Sequence, residues 1–189
     1  MKISDKKIIT IIKKGGVGVL PTDTLFGLVG SAFSQKAVER ISEIKGRNSK
    51  KPFIILISSL KDLSQFEIEL DENAENFLQK NWPGKVSIVF PCPNKKLEYL
   101  HRGTKSLAFR LPKKKSLIDL IKKTGPLVAP SANPEGESPA QNITEARKYF
   151  GDKIDFYVSG RIFNKLPSTL IEIKNGKIKI LRRGAGRIK

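Results

Sequence analysis

The sequence predicts a domain of the α/β or α+β class. Helix-period and strand-like stretches alternate along the 189 residues, with no internal repeat, low-complexity tract or linker-like shift in composition between them. A hydrophobic share of 39% with 10 Phe is that of a chain with a packed core. At this length folding buries roughly 70% of the extended chain's surface, so the fold needs no disulfide or metal staple.

In chain order, residues 4–14 read as a helix with Ile8, Ile9 and Ile12 as its apolar stripe, stopped by Gly15-Gly16. Residues 17–20 form a short buried strand that runs into Pro21-Thr22-Asp23-Thr24. Ser34 caps a second helix carrying Val38, Ile41 and Ile44, with Gly46 just past its end. The apolar runs 53–57, 86–90 and 107–111 read as core strands. Between the first two lies a helix over 71–80 with Ala74, Phe77 and Leu78 on one face. A short helix over 116–124 feeds a strand over 127–129. Residues 131–142 hold Pro134, Gly136 and Pro139 without periodicity, a loop long enough to carry function. Thr144 caps a helix that runs to Phe150. Finally, 171–174 and 177–180 alternate in period two around Asn175-Gly176, a type I′ hairpin signal.

Charge narrows the function. Lys and Arg number 36 against 18 Asp and Glu, a net charge of +18. The acids gather at Glu67, Glu69, Asp71, Glu72 and Glu75, whereas seven basic residues and no acid follow from Lys174 onward. Lys45, Arg47, Lys50 and Lys51 form a second basic group. The expected molecule has a negative edge and a positive face, and that face calls for an anionic partner. Cys92 and His101 are each the sole residue of their type, which excludes intramolecular disulfides and zinc sites of the Cys-cluster or His-rich kind. The longest apolar run, 53–57, is far short of the ~20 residues of a membrane span, and the start of the chain lacks a signal peptide's apolar core. A cytoplasmic protein with no membrane association is expected.

Three polar turns carry the candidate chemistry. Lys45-Gly46-Arg47, followed by Lys50-Lys51-Pro52, suits either phosphate oxygens or the negative end of a helix dipole. Pro21-Thr22-Asp23-Thr24 and Ala129-Pro130-Ser131-Ala132-Asn133 both follow strands, where the hydroxyls and carboxylate of the first and the Ser and Asn of the second either grip a polar ligand or close an ordinary turn. There is no Walker-type loop, no GxGxxG, and no base-activated nucleophile, since Cys92 and His101 read as structural. An enzyme made from these residues works by positioning and electrostatics on anionic substrates.

Seven motifs, in order, carry a resemblance. Pro-Thr-Asp-Thr-Leu-Phe-Gly-Leu (21–28), Lys-Gly-Arg-x4-Pro (45–52), Trp-Pro-Gly (82–84) and Ala-Phe-Arg-Leu-Pro (108–112) come first. Ser-Ala-Asn-Pro (131–134), Pro-Ser-Thr (167–169) and Leu-Arg-Arg-Gly (181–184) follow. Together they resemble the YrdC/TsaC family of threonylcarbamoyl-AMP synthases over residues 8–187. The resemblance implies one YrdC-like α/β domain over 1–189, a twisted open mixed β-sheet flanked by helices around a basic concave cavity. It implies that L-threonine, bicarbonate and ATP condense to threonylcarbamoyl-AMP and pyrophosphate. Mg²⁺ would enter with the ATP substrate, and no metal would be resident on the protein. A tRNA modification complex would accept the product for tRNAs reading ANN codons.

Carried over residue by residue, the resemblance makes Lys45, Arg47, Ser131 and Asn133 catalytic. Thr24, Arg110 and Ser168 would bind threonine; Arg47, Lys51, Ser106, Ser131 and Arg182 would bind ATP. The chain departs from the family pattern at Phe26 (commonly Tyr), Leu56 and Lys114 (His in many members), Ala129 (Thr) and Glu135 (Ser). An alternative reading of the +18 charge is a non-catalytic protein that binds double-stranded RNA or tRNA on its basic face.

Overall fold

A computed structural model describes residues 2–46, 53–161, 166–174 and 177–189. Among them, nine strands make one mixed sheet. They are β1 (Gly18–Pro21), β2 (Phe26–Ser31), β3 (Ile54–Leu56), β4 (Val86–Pro91), β5 (Ser106–Arg110), β6 (Leu127–Val128), β7 (Phe156–Tyr157), β8 (Thr169–Lys174) and β9 (Lys177–Arg182). Their spatial order is β7-β1-β2-β6-β3-β5-β4-β8-β9. The pairs β1/β7, β3/β5 and β4/β8 are parallel and the others antiparallel. The helices are α1 (Lys6–Lys13), α2 (Gln35–Ile44), α3 (Glu72–Asn81), α4 (Glu98–His101), α5 (Lys115–Thr124) and α6 (Ile143–Phe150).

Adjacent apolar residues on the central strands enter opposite cores because strand side chains alternate. Leu20, Val29, Leu56 and Leu127 pack with Ile8 and Ile12 of α1 and Leu117, Leu120 and Ile121 of α5. Val19, Leu28, Ile55 and Val128 pack on the other face with Ala37, Val38 and Ile41 of α2 and with Phe66 and Phe109. Both faces are covered, which is why β1, β3 and β6 read as unbroken apolar runs. The five acids of the predicted negative edge are exposed, and Asp71 caps α3 by accepting the Ala74 N–H at 2.7 Å.

The structure corrects several element readings. Strand β2 was not read from the sequence, because Gly27 and Gly30 interrupt it and its first five residues are buried without alternation. At Gly30 a Cβ would press on Ala37, Ile41 and Val17, so the glycine lets α2 lie close to the sheet. Helix α6 is capped by Asn142, not Thr144, the Asn142 side chain accepting the Glu145 N–H at 2.9 Å. Helix α1 is shorter than the 4–14 read from the sequence, with Asp5 as its cap. The two-residue β7 and the 3-10 turn Leu60–Phe66 are too short for periodicity to announce. The hairpin pairs Lys174 with Lys177 as expected; its Asn175-Gly176 turn lies outside the described residues.

Asp155 anchors the end of the sheet. Its Oδ2 accepts the buried Val17 N–H at 2.7 Å and pairs with Arg40 Nη1 at 2.6 Å. Burial pushes its pKa up, but these two partners outweigh it and the carboxyl sits below its ordinary value. The stability it contributes is therefore present above about pH 3.9, the unfolded value, and is lost as pH falls through the lower folded one. Asp155→Asn should cost about 1 kcal/mol at neutral pH, a figure discounted for the pair's partial exposure. In urea melts the gap to the parent protein should close below about pH 4.

Candidate active site

On the face shared with α1 and α5, the sheet continues into a cavity of about 420 Å³. One wall is the β5–β4–β8–β9 half of the sheet, with Ser106, Ala108, Arg110, Val89, Leu170, Glu172, Leu181 and Arg182. The other is built from Thr22 and Thr24 between β1 and β2, Phe53 and Ile54 at β3, and Ala129, Pro130 and Ser131 after β6. Two of the three polar turns thus line one hollow, as their places at neighbouring strand ends require. The third contributes Lys45 behind the wall, while Arg47 and Lys51 lie outside the described residues.

The 21–24 turn is set by proton accounting. Thr22 Oγ1 carries one proton and donates it to Leu25 O at 2.7 Å. In its 3.1 Å bond with Thr24 Oγ1 it must therefore accept, and it also accepts the Thr24 N–H at 3.1 Å. Thr24 Oγ1 has then used its proton inward and meets a ligand only as an acceptor. Arg110 Nη2 stands 3.5 Å from the same oxygen. Asp23, read from sequence as able to grip a ligand, turns away from that role: it pairs with Arg110 Nη1 and accepts the Lys113 N–H at 3.0 Å. The guanidinium and its partner are both buried, and Arg110 Nε has no hydrogen-bond partner among the described residues. Donors on Arg110 beside an acceptor on Thr24 complement a carboxylate next to an N–H or O–H.

Lys45 and Asn133 hold the second turn from behind. Lys45 is 5% exposed, and its Nζ donates to Ser131 O at 2.7 Å and Asn133 O at 2.5 Å. Asn133 Nδ2 donates to Pro134 O and Glu137 O, both at 2.8 Å. Neither residue lines the cavity; Ser131 does. A buried ammonium needs acceptors, and the turn's carbonyls supply them. Of the four residues expected to be catalytic, Lys45 and Asn133 thus hold the turn that presents Ser131. Backbone bonds from Leu28 N to Pro130 O and from Ala132 N to Phe26 O tie the same turn to β2.

The far wall has its own relay. Arg182 donates from Nε and Nη2 to Ser168 O at 3.2 and 2.9 Å, and from Nη2 to Ser168 Oγ at 3.3 Å. Ser87 Oγ, fully buried on β4, lies 2.7 Å from Ser168 Oγ. Burial first, and Arg110 second, press the Arg182 pKa below its ordinary value, so the two guanidiniums share one region of the cavity. A Cβ on Gly184 would strike the backbone of Pro167 and Ser168, which explains why a glycine follows Arg-Arg. Ser106 lines the cavity further along β5 and bonds Thr104 Oγ1 at 3.3 Å.

The sequence reading missed Ser87, the Asp23–Arg110 pairing and the cavity carboxylate of Glu172. Ser87 sits in an apolar run with no motif to mark it. Lys114, at the N-terminal cap of α5, donates to Pro21 O at 2.7 Å and braces the 21–24 turn. Burial lowers its pKa, partly offset by Asp23. His101 Nδ1 accepts the Gly103 N–H and leaves Nε2 to donate to Asn94 O, a structural role. Cys92 is buried, and burial raises its thiol pKa away from reactivity.

Fold and site together define an α/β protein with a deep, polar-ended cavity whose guanidiniums and hydroxyls suit an anionic substrate beside an amino acid. The family model Sua5_yciO_yrdC, described as "Telomere recombination", matches residues 10–184, and the chain belongs to this family. A Marinobacter nauticus protein named threonylcarbamoyl-AMP synthase is 34% identical over 166 residues, 86% of this chain and 87% of that one. One from Pyrococcus abyssi with the same name is 33% identical over 178 residues, 92% of this chain and 52% of its own length. Among solved structures, P. abyssi Sua5 complexed with L-threonine superposes with a TM-score of 0.88 at 30% identity, covering 96% of this chain and 54% of that one. The chain therefore spans about half the length of that protein. Escherichia coli YciO, at 24% identity, shares the fold with a TM-score of 0.86 over 99% of this chain and 91% of that one.

Proposed function

We propose that this protein is an L-threonylcarbamoyladenylate synthase, a nucleotidyltransferase that joins L-threonine, bicarbonate and ATP and releases pyrophosphate. The observation that carries the reading is the convergence of Thr24, Arg110, Ser131, Ser168 and Arg182 on one cavity. The M. nauticus and P. abyssi relatives bear the name of this activity, and the P. abyssi structure holds L-threonine.

In this reading Arg110 holds the threonine carboxylate, and Thr24, with its proton turned inward, accepts from the amino acid's N–H or O–H. The threonine nitrogen and bicarbonate form a carbamate, with loss of water. A carbamate oxygen then attacks the α-phosphorus of ATP and pyrophosphate leaves. Charge grows on the phosphoryl oxygens as the leaving bond breaks, and Arg182 and Ser131 are donors of the kind that stabilises it, while Ser168 is proposed to reach the threonine. Arg47 and Lys51 are proposed to add cations there. No protein nucleophile is called for, in keeping with the structural roles of Cys92 and His101. The described residues hold no group of three or more His, Cys, Asp or Glu fit for a metal ion. Mg²⁺ is proposed to arrive with the ATP phosphates, where it would offset their charge.

The basic surface is proposed to favour transfer of the product to a tRNA modification complex and contact with tRNA. The enzyme reading is favoured over a purely RNA-binding one because the relatives are named for a synthesis. No helix among the described residues is long and apolar enough to cross a membrane, and a cytoplasmic site of action is proposed. The test is pyrophosphate release with each substrate omitted in turn. Release should require ATP, threonine and bicarbonate together; release without threonine, or none at all, contradicts the assignment.

A further inference from the structure

Among the described residues that line the cavity, Glu172 is the one carboxylate, and the other side-chain polar groups are hydroxyls and two guanidiniums. It is half-buried and forms no hydrogen bond or ion pair among the described residues. Its register partner on β9, Lys179, is exposed and outside ion-pair distance. A carboxylate facing a site for a polyanion is unfavourable unless a donor of the ligand comes to meet it.

Its place gives the cavity a direction. Ser168, Leu170 and Glu172 share one face by strand alternation, so Glu172 lies roughly 13 Å along the wall from Ser168. At the Ser168 end sit Arg182 and Arg110. At the other end Glu172 lies level with Val89 and Ala108, its register neighbours on β4 and β5, with Leu170 between it and Ser168 and with Ser106 one step further along β5. A nucleoside triphosphate with its phosphates on Arg182, beside a threonine held by Arg110, brings its nucleoside to Glu172.

We infer that Glu172 is a specificity-determining residue for the nucleotide, its carboxylate accepting the hydroxyls of the ribose. The inference rests on the adenylate-forming reading above. A nucleoside offers two kinds of donor. Guanine presents two adjacent N–H groups that match a carboxylate, whereas adenine presents one amino group, so a base-reading acid here would select GTP over ATP. The ribose diol instead presents two neighbouring O–H donors to a single acid, as in dinucleotide folds.

The experiment measures binding of ATP, 2′-deoxy-ATP, 3′-deoxy-ATP and GTP by calorimetry, alongside pyrophosphate release, for the parent, Glu172→Gln and Glu172→Ala. The parent should prefer ATP to each deoxy analogue by about tenfold, and Glu172→Ala should bind all three alike. The KM for threonine should stay at the parent value, and Glu172→Gln, which keeps the shape and one acceptor, should fall between. Equal discrimination in parent and Glu172→Ala overturns the inference. So does a change confined to the ATP-to-GTP ratio, which would make Glu172 a reader of the base. Because binding is read without turnover, ribose discrimination in a protein that releases no pyrophosphate upholds Glu172 and rejects the reaction instead.

Discussion

Arg110→Ala is expected to be the most damaging single substitution in the cavity, lowering stability and turnover together. It leaves Asp23 as a buried carboxylate without its cation, a change that costs about 3–5 kcal/mol. That is a large part of the stability of an ordinary domain, so the single variant alone would not separate folding from function. The double variant Asp23→Asn with Arg110→Met removes both charges and should recover most of the loss in urea melts. Its pyrophosphate release should remain down by about 100-fold or more, with a raised KM for threonine, because the donor to the amino acid's carboxylate is gone. A stable double variant with a parental KM for threonine would remove Arg110 from the substrate site.

Lys45→Met is expected to have the next largest effect. The ammonium has Ser131 O and Asn133 O as acceptors, and methionine fills the volume without a donor. The stranded carbonyls should cost about 2–3 kcal/mol, and Ser131 loses its fixed place on the cavity wall. A displacement of about 1 Å at such a group lowers kcat by about 100-fold. Since Lys45 stands behind the wall, the KM for threonine should hold while kcat and the KM for ATP change. A rise in the threonine KM with kcat intact would mean that Lys45 itself reaches the amino acid.

The fold was legible where burial leaves a periodic trace. Helices α2 and α5 and strands β4 and β5 were read within a residue or two because their apolar faces are long enough to show. Strand β2 was hidden because its two glycines, of which Gly30 gives α2 room above the sheet, leave no alternation to read. Site residues in named turns were legible one by one, and Thr24, Arg110, Ser131, Ser168 and Arg182 meet as the motifs imply. What the sequence could not show is how they are held. Asp23 and Arg110 are 87 positions apart, and Ser87 and Ser168 81 apart. Such pairings exist only once the sheet has ordered its strands, so a local turn signal at Asp23 says nothing of a guanidinium across the cavity.

The central claim is that one cavity builds a mixed anhydride of threonine, bicarbonate carbon and AMP. Its most direct test is the mass spectrum of the product formed from ATP, L-threonine and bicarbonate labelled with carbon-13. Threonylcarbamoyl-AMP one mass unit heavier than the unlabelled compound should form, with an equal amount of pyrophosphate released. A product without the label, whether AMP alone or threonine joined directly to AMP, would contradict it.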